Sequence, residues 1–223
     1  MYIYGELFLN SSLMFPILFV LLWLQVPPSN ATFGDGPIAI LRPILSFLAR
    51  TGSPYLTNAY PFFGFLAKPN STNLEYALFE ATSKPHYDPI TKLSYTNMFD
   101  AQVDAIYAAI ARLGFHNVTV AVGETGWPSQ GDQYEPGVSL ENAKIFNSNI
   151  VKHVVSGKGT PLKPNVPVET YIFALFNENL KPGAGSEKHY GLFNPDKTPV
   201  YDCGIMKKQV QVHYIGFVRG MMH

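Results

Sequence analysis

Residues 118–129 read VTVAVGETGWPS. Val118, Val120 and Val122 alternate with Thr119, Ala121 and Gly123, which is the two-residue period of a strand. Glu124 follows where that strand runs out, and Gly126 lets the backbone turn away and leave the carboxylate facing a cleft. Two readings of Glu124 stay open on this stretch alone: a solvated turn acid, or half of a catalytic pair. A second stretch built alike bears on the fold. ETYIFALFNEN (169–179) is a near-continuous apolar run of the kind buried on both faces, and it too leads to a carboxylate, Glu178.

Working outward, apolar residues at helical spacing predict helices over 37–50, 98–114 and 140–156. In the first, Ile38, Leu41, Ile44, Leu45 and Leu48 share a stripe between Pro37 and Gly52, with Pro43 interrupting it. In the second, Val103, Ile106, Tyr107, Ile110 and Leu113 recur at three and four before Gly114. The third carries Leu140, Ala143, Phe146, Ile150 and Val154. YLTNAYPFF (55–63) and LEYALFE (74–80) read as strands, the polar stretch 82–97 as loop, and 129–138 as a glycine-rich loop. Helices alternating with four strands, two of them built on near-continuous apolar runs, predict an α/β fold with a parallel sheet under helices. In such sheets, and above all in (β/α)8 barrels, functional side chains gather at the C-terminal strand ends. Asn58, Tyr60, Glu124, Asn177 and Glu178 all lie at or near such ends.

The 223 residues fit one domain, and 47% apolar content is ample for a core. Sixteen basic residues balance sixteen acidic ones, so a polyanionic partner such as nucleic acid is not expected and a neutral one is. The 14% aromatic content suits a dense core or a cleft that stacks on sugar rings. Cys203 is the single cysteine, which excludes an intrachain disulfide framework. Asn10, Asn30, Asn70 and Asn117 each open an N-x-[ST] sequon, a pattern of export-pathway glycosylation, with Asn117 too close to a strand to be used. The run LMFPILFVLLWLQV (13–26) has signal-peptide length and is short for a bilayer span, although Glu6 and the lack of Lys or Arg before it depart from a signal n-region. Secretion to the cell wall or extracellular space, and membrane association through 13–26, both stay open. The six histidines show no HxxxH or HxH spacing with acids, and GxGxxG, GxxxxGK[ST] and GxSxG do not occur. Neither metal nor cofactor is expected, and no obligate protein partner is evident.

Adjacent parallel strands lie about 4.8 Å apart, so carboxylates at matching heights can share a cleft. Retaining glycosidases use carboxyls about 5–5.5 Å apart, one as nucleophile and one as acid/base. A local reading makes Glu124 and Glu178 that pair; the duller one makes Glu178 a supporting neighbour. Lys181 and Glu187 follow in the same loop, where a lysine can hold a carboxylate ionised or donate to a sugar hydroxyl. Trp127 and Tyr60 could offer faces to pyranose C–H groups, or serve the core.

The stretch VAVGETGWPS resembles the signature around the nucleophile of the plant β-1,3-glucanases of glycoside hydrolase family 17. TGSPYLTNAYPFF, LEYALF, NMFDAQVDAIYAAI, ENAKIFN, TYIFALFNENLKPG and YGLFNPDKTPVY are similar to further family segments, in family order. The resemblance runs from about Pro27 to Tyr201 and implies a retaining endo-glucanase of the (β/α)8 TIM-barrel type acting on β-1,3-glucan. It implies Glu124 as nucleophile, with Glu178, Lys181 and Glu187 supporting; Asn58, Tyr60, Trp127, Phe176 and Asn177 are expected on the substrate side from their place at or near strand ends. The family's acid/base glutamate, in an NE motif at the end of the fourth strand, finds no counterpart here. A barrel needs about 250 residues. The resemblance therefore implies an incomplete barrel of about the last four strands at 27–202, preceded by an apolar leader at 1–26 and followed by a divergent tail at 203–223. Hydrolysis impaired for want of the acid is the first expectation, and a non-catalytic β-glucan-binding or cell-wall protein the second.

Overall fold

The computed structural model describes residues 27–80, 85–205 and 215–217. A single 3-10 turn, Pro28–Asn30, leads into α1 (Asp35–Thr51), which Gly52 ends in the left-handed conformation at φ 70°. Pro43 is accommodated inside that helix. Strand β1 (Tyr55–Asn58) is shorter than the apolar run suggests, because Pro61 opens α2 (Pro61–Ala67) and turns Phe62 and Phe65 into the core. The segment 74–80, expected as a strand, instead contains a one-turn helix, α3 (Leu74–Ala77); Asn73 caps it by accepting the Glu75 N–H at 2.9 Å. Within the expected loop 82–97 lies a small antiparallel hairpin, β2 (His86–Tyr87) with β3 (Ser94–Tyr95). Its turn is held by Asp88, whose Oδ1 accepts the N–H groups of Ile90 and Thr91.

The two long helices form as their periodicity predicts. Helix α4 (Met98–Arg112) is capped by Asn97, which accepts the Asp100 N–H at 2.8 Å, and it buries Val103, Ile106 and Ile110. Tyr107 on this helix accepts the N–H of Val120 at 3.1 Å, fixing α4 to the start of β4 (Val120–Thr125). Helix α5 (Leu140–Val155), capped by Ser139, buries Ala143, Phe146, Ile150 and Val154. Strand β5 (Thr170–Ile172) follows, and a second 3-10 turn occupies Gly185–Lys188.

Strands β1, β4 and β5 join a further strand, β6 (Ile215–Phe217), in one parallel sheet of order β1-β4-β5-β6. It has four parallel strands, as expected, but the fourth is not 74–80. It is β6 (Ile215–Phe217), in the tail, paired with β5 through Thr170–Ile215 and Ile172–Phe217. The result is an incomplete barrel wall of the TIM-barrel type, with α4 and α5 supplying buried apolar faces. Among the described residues no helix is long and apolar enough to cross a membrane; residues 13–26 lie outside them.

One buried charge gives this wall a pH signature. Asp104 on α4 has no exposed surface, and it accepts the Leu162 N–H at 2.8 Å beside the hydroxyls of Thr160 and Tyr95. Burial raises its pKa to about 7. The folded state therefore holds this proton more tightly than the unfolded chain, whose carboxyl titrates near 4. Asp104 accordingly costs stability progressively as pH rises from about 4 to about 7, by about 1.4 kcal/mol for each pH unit crossed. Asp104→Asn is expected to lose less melting temperature between pH 5 and pH 8 than the unsubstituted chain, measured by scanning calorimetry; an equal loss would refute the assignment.

Candidate active site

Glu124 sits at the C-terminal end of β4, half-buried. The register between β1 and β4 shifts between Thr57 and Asn58, and the shift places Asn58 opposite Glu124. Asn58 Nδ2 then donates to Glu124 Oε2 at 3.0 Å. The Tyr60 hydroxyl donates to the same oxygen. Tyr60 is itself fixed from α4, where Gln102 Nε2 donates to its carbonyl at 3.3 Å. Among the described residues nothing donates to Oε1, so one oxygen is anchored and the other is left free.

The opposite wall comes from the loops after β5. Lys181 Nζ lies 2.9 Å from Glu187 Oε2 and 3.5 Å from Glu178 Oε2, and 4.9 Å from the centre of the Phe173 ring. Burial opposes the Lys181 charge, but Glu187 and Glu178 outweigh it and hold its pKa above the ordinary lysine value. Burial raises the pKa of Glu124; the Tyr60 hydrogen bond and the Lys181 charge pull it back, and Glu178 and Glu187 push it up. Four ionisable groups, one at the end of β4 and three in the segment after β5, thus share one electrostatic neighbourhood. Glu178 lies six residues past β5 and is placed by its N–H bond to Lys188 O at 3.2 Å, so it is not the strand-end twin of Glu124 that the two similarly built stretches suggested.

Two aromatic expectations are corrected by burial. Trp127 has no exposed surface: its ring packs 5.2 Å from Phe62, 5.6 Å from Phe146 and 6.1 Å from Phe65, and its Nε1 donates to Gly137 O at 2.9 Å. It is a core residue and offers no face to a sugar. Tyr60 is 8% exposed with its hydroxyl on Glu124, so it acts on the carboxylate rather than as a stacking platform. Asn177 is bonded within the chain, donating to Asn194 Oδ1 at 3.2 Å and accepting the Gly191 N–H at 2.8 Å. Phe176 is half-buried with its ring 6.0 Å from Phe193. Sequence reasoning missed Glu135 and Ser186, both buried and bonded to each other across two loops; an aperiodic glycine-rich segment gives no signal of such pairing. Among the described residues no group of three or more His, Cys, Asp or Glu could hold a metal ion.

Tyr60→Phe would remove a donor that favours the charged form of Glu124. The Glu124 titration midpoint, followed by carboxyl carbon NMR, is expected to rise from its already elevated position; an unchanged midpoint would show that the hydroxyl does not hold the charge.

The half-buried Glu124, with Asn58 and Tyr60 both on one oxygen and the Lys181-bridged glutamates in the same electrostatic neighbourhood, stands at a C-terminal strand end of a parallel wall of the TIM-barrel type, where functional side chains of such folds gather. The chain belongs to Glycosyl hydrolases family 17, whose profile matches residues 17–205. It is 50% identical over 179 residues to glucan endo-1,3-beta-glucosidase 14 of Arabidopsis thaliana, covering 80% of this chain and 45% of that protein. It is likewise 50% identical over 186 residues to a glucan endo-1,3-beta-glucosidase of Triticum aestivum, covering 83% of this chain and 39% of that protein. Its fold matches a β-1,3-glucanase and allergen of Cryptomeria japonica pollen with a TM-score of 0.73 at 49% identity, over 79% of this chain and 53% of that one. The chain thus spans less than half the length of these two curated relatives.

Proposed function

We propose that this chain attacks the anomeric carbon of β-1,3-glucan with Glu124, forming a covalent glycosyl-enzyme that water resolves with overall retention. The observation that carries this reading is the asymmetry at Glu124: Asn58 and Tyr60 both donate to Oε2, which aims Oε1 as the attacking oxygen. A nucleophile must be ionised, so reactivity is lost as pH falls through the raised pKa of Glu124. The substrate class follows from the family and from relatives named for endo-1,3-β-glucosidase activity. Turnover of unactivated glucan is impaired in this reading, because Glu178 and Glu187 are both engaged by Lys181 and neither is free to serve as the acid. Missing acid catalysis is worth roughly 10²- to 10⁴-fold. Extracellular placement is supported by the exposed sequons at Asn30 and Asn70; Asn117 Nδ2 instead donates to Ala49 O at 3.2 Å.

The test bypasses the acid. A 2-deoxy-2-fluoro-β-laminaribioside carrying a dinitrophenolate leaving group needs no proton to depart, and the fluorine slows hydrolysis of the adduct. Mass spectrometry is expected to find one glycosyl group per chain, on the peptide containing Glu124. No adduct, or an adduct on Glu178, would overturn the reading. Binding of laminari-oligosaccharide without an adduct would favour the β-glucan-binding alternative.

A further inference from the structure

The glycine-rich loop after β4 is clasped to the segment that carries Glu187. Glu135, 6% exposed, accepts the N–H of Ser186 at 3.0 Å and of Asp132 at 2.8 Å through Oε2, while the Ser186 hydroxyl donates to its Oε1. Asp132 accepts the Gly185 N–H at 2.7 Å, and Ser129 donates through N and Oγ to His189 O at 2.9 and 3.0 Å. The approach is close on both sides. A Cβ on Gly185 would lie 2.7 Å from Asp132 Oδ1, and one on Gly131 would lie 2.7 Å from Glu135 Oε2. Glu187 belongs to the same 3-10 turn as Gly185 and Ser186, and it holds Lys181 at 2.9 Å.

We propose that Glu135 is a positioning residue for the reaction: by gripping Ser186 it fixes Glu187, and through Glu187 the Lys181 ammonium, beside the nucleophile. The proposal rests on the reading of Glu124 as nucleophile. A carboxylate suits the post because three donors converge on it, one of them a hydroxyl between two buried groups. Leucine would leave those donors unpaired, whereas glutamine can keep both N–H groups on its oxygen and turn its amide to the Ser186 hydroxyl. Lys181 favours the charged form of Glu124 more than Glu187 disfavours it, so loosening the pair lowers the charged fraction.

The experiment measures the rate of Glu124 adduct formation against pH with the dinitrophenyl fluoro-glycoside. Glu135→Leu is expected to slow it roughly tenfold to a hundredfold and to move the acid limb upward, while Glu135→Gln restores most of both. A folded Glu135→Leu chain with the original rate and profile would overturn the proposal. If Glu135→Leu does not fold, Ser186→Ala and Asp132→Ala each remove part of the clasp, and an unchanged profile in both overturns it equally. If the unsubstituted chain forms no adduct, the nucleophile reading is what fails. The clasp is then read from the Glu124 NMR titration, where Glu135→Leu must still move the midpoint for the linkage to stand.

Discussion

Glu124→Ala is expected to abolish adduct formation with the activated fluoro-glycoside, lowering the rate by about four orders of magnitude or more, the scale at which enzymes respond to loss of a nucleophile. The fold should survive, since the side chain is half-buried and both its anchors, Asn58 and Tyr60, belong to a neighbouring strand end that is held independently through the β1–β4 ladder and Gln102. The decisive outcome is chemical rescue. With the carboxylate removed, added azide can occupy the vacated space and attack the anomeric carbon of the non-fluorinated dinitrophenyl glycoside as the dinitrophenolate departs with its electron pair. One displacement replaces two, so the product is the α-glycosyl azide. Detection of that azide would place the missing atom at the attacking position. Residual adduct formation in Glu124→Ala would instead move the nucleophile elsewhere.

Gly126→Ala is expected to lower stability by about 3 kcal/mol, the upper part of the usual range for overpacking. A Cβ there would stand 2.0 Å from the Phe173 carbonyl oxygen, which is backbone and has no rotamer to retreat into. Phe173 is joined to β4 by its N–H bond to Thr125 O at 2.8 Å, so relief requires β4 and β5 to part at the height of the site. On a chain of 223 residues the loss corresponds to roughly 6–12 °C in melting temperature. Gly36→Ala is the control, since nothing stands within 4 Å of its Cβ. If both variants melt together, the close approach at Gly126 is not a constraint.

The sequence revealed most where periodicity was long and clean. Helices α4 and α5 and strand β4 fall within a residue or two of their expected limits, because each carries several turns or alternations of core-facing residues. Short elements were harder. The run 55–63 carries Tyr55, Tyr60, Phe62 and Phe63 on both sides of Pro61, and so hides the change from strand to helix there. In 74–80 the informative residue was Asn73, a helix cap just outside the apolar stretch. Strand β6 could not be foreseen, as Ile215–Phe217 forms only against an edge supplied by residues more than forty positions earlier. At the site, Glu124 was legible from the strand that ends beneath it, while Glu178, Lys181 and Glu187 came with the loop that follows β5 and with the family resemblance. Trp127 misled because its position beside a catalytic-looking turn says nothing about direction: beyond Gly126 the chain turns inward, into Phe62 and Phe146.

That inward turn gives the molecule an optical property. Three residues after Glu124, the Trp127 indole is sealed from water by three phenylalanine rings, and its indole N–H donates to Gly137 O, at the far end of the clasped loop. An indole so enclosed emits toward the blue, and its colour depends on the loop remaining seated. With Trp23, the other tryptophan of the chain, replaced by phenylalanine, the remaining indole becomes an intrinsic dye for the seating of that loop, legible by fluorescence without label or substrate.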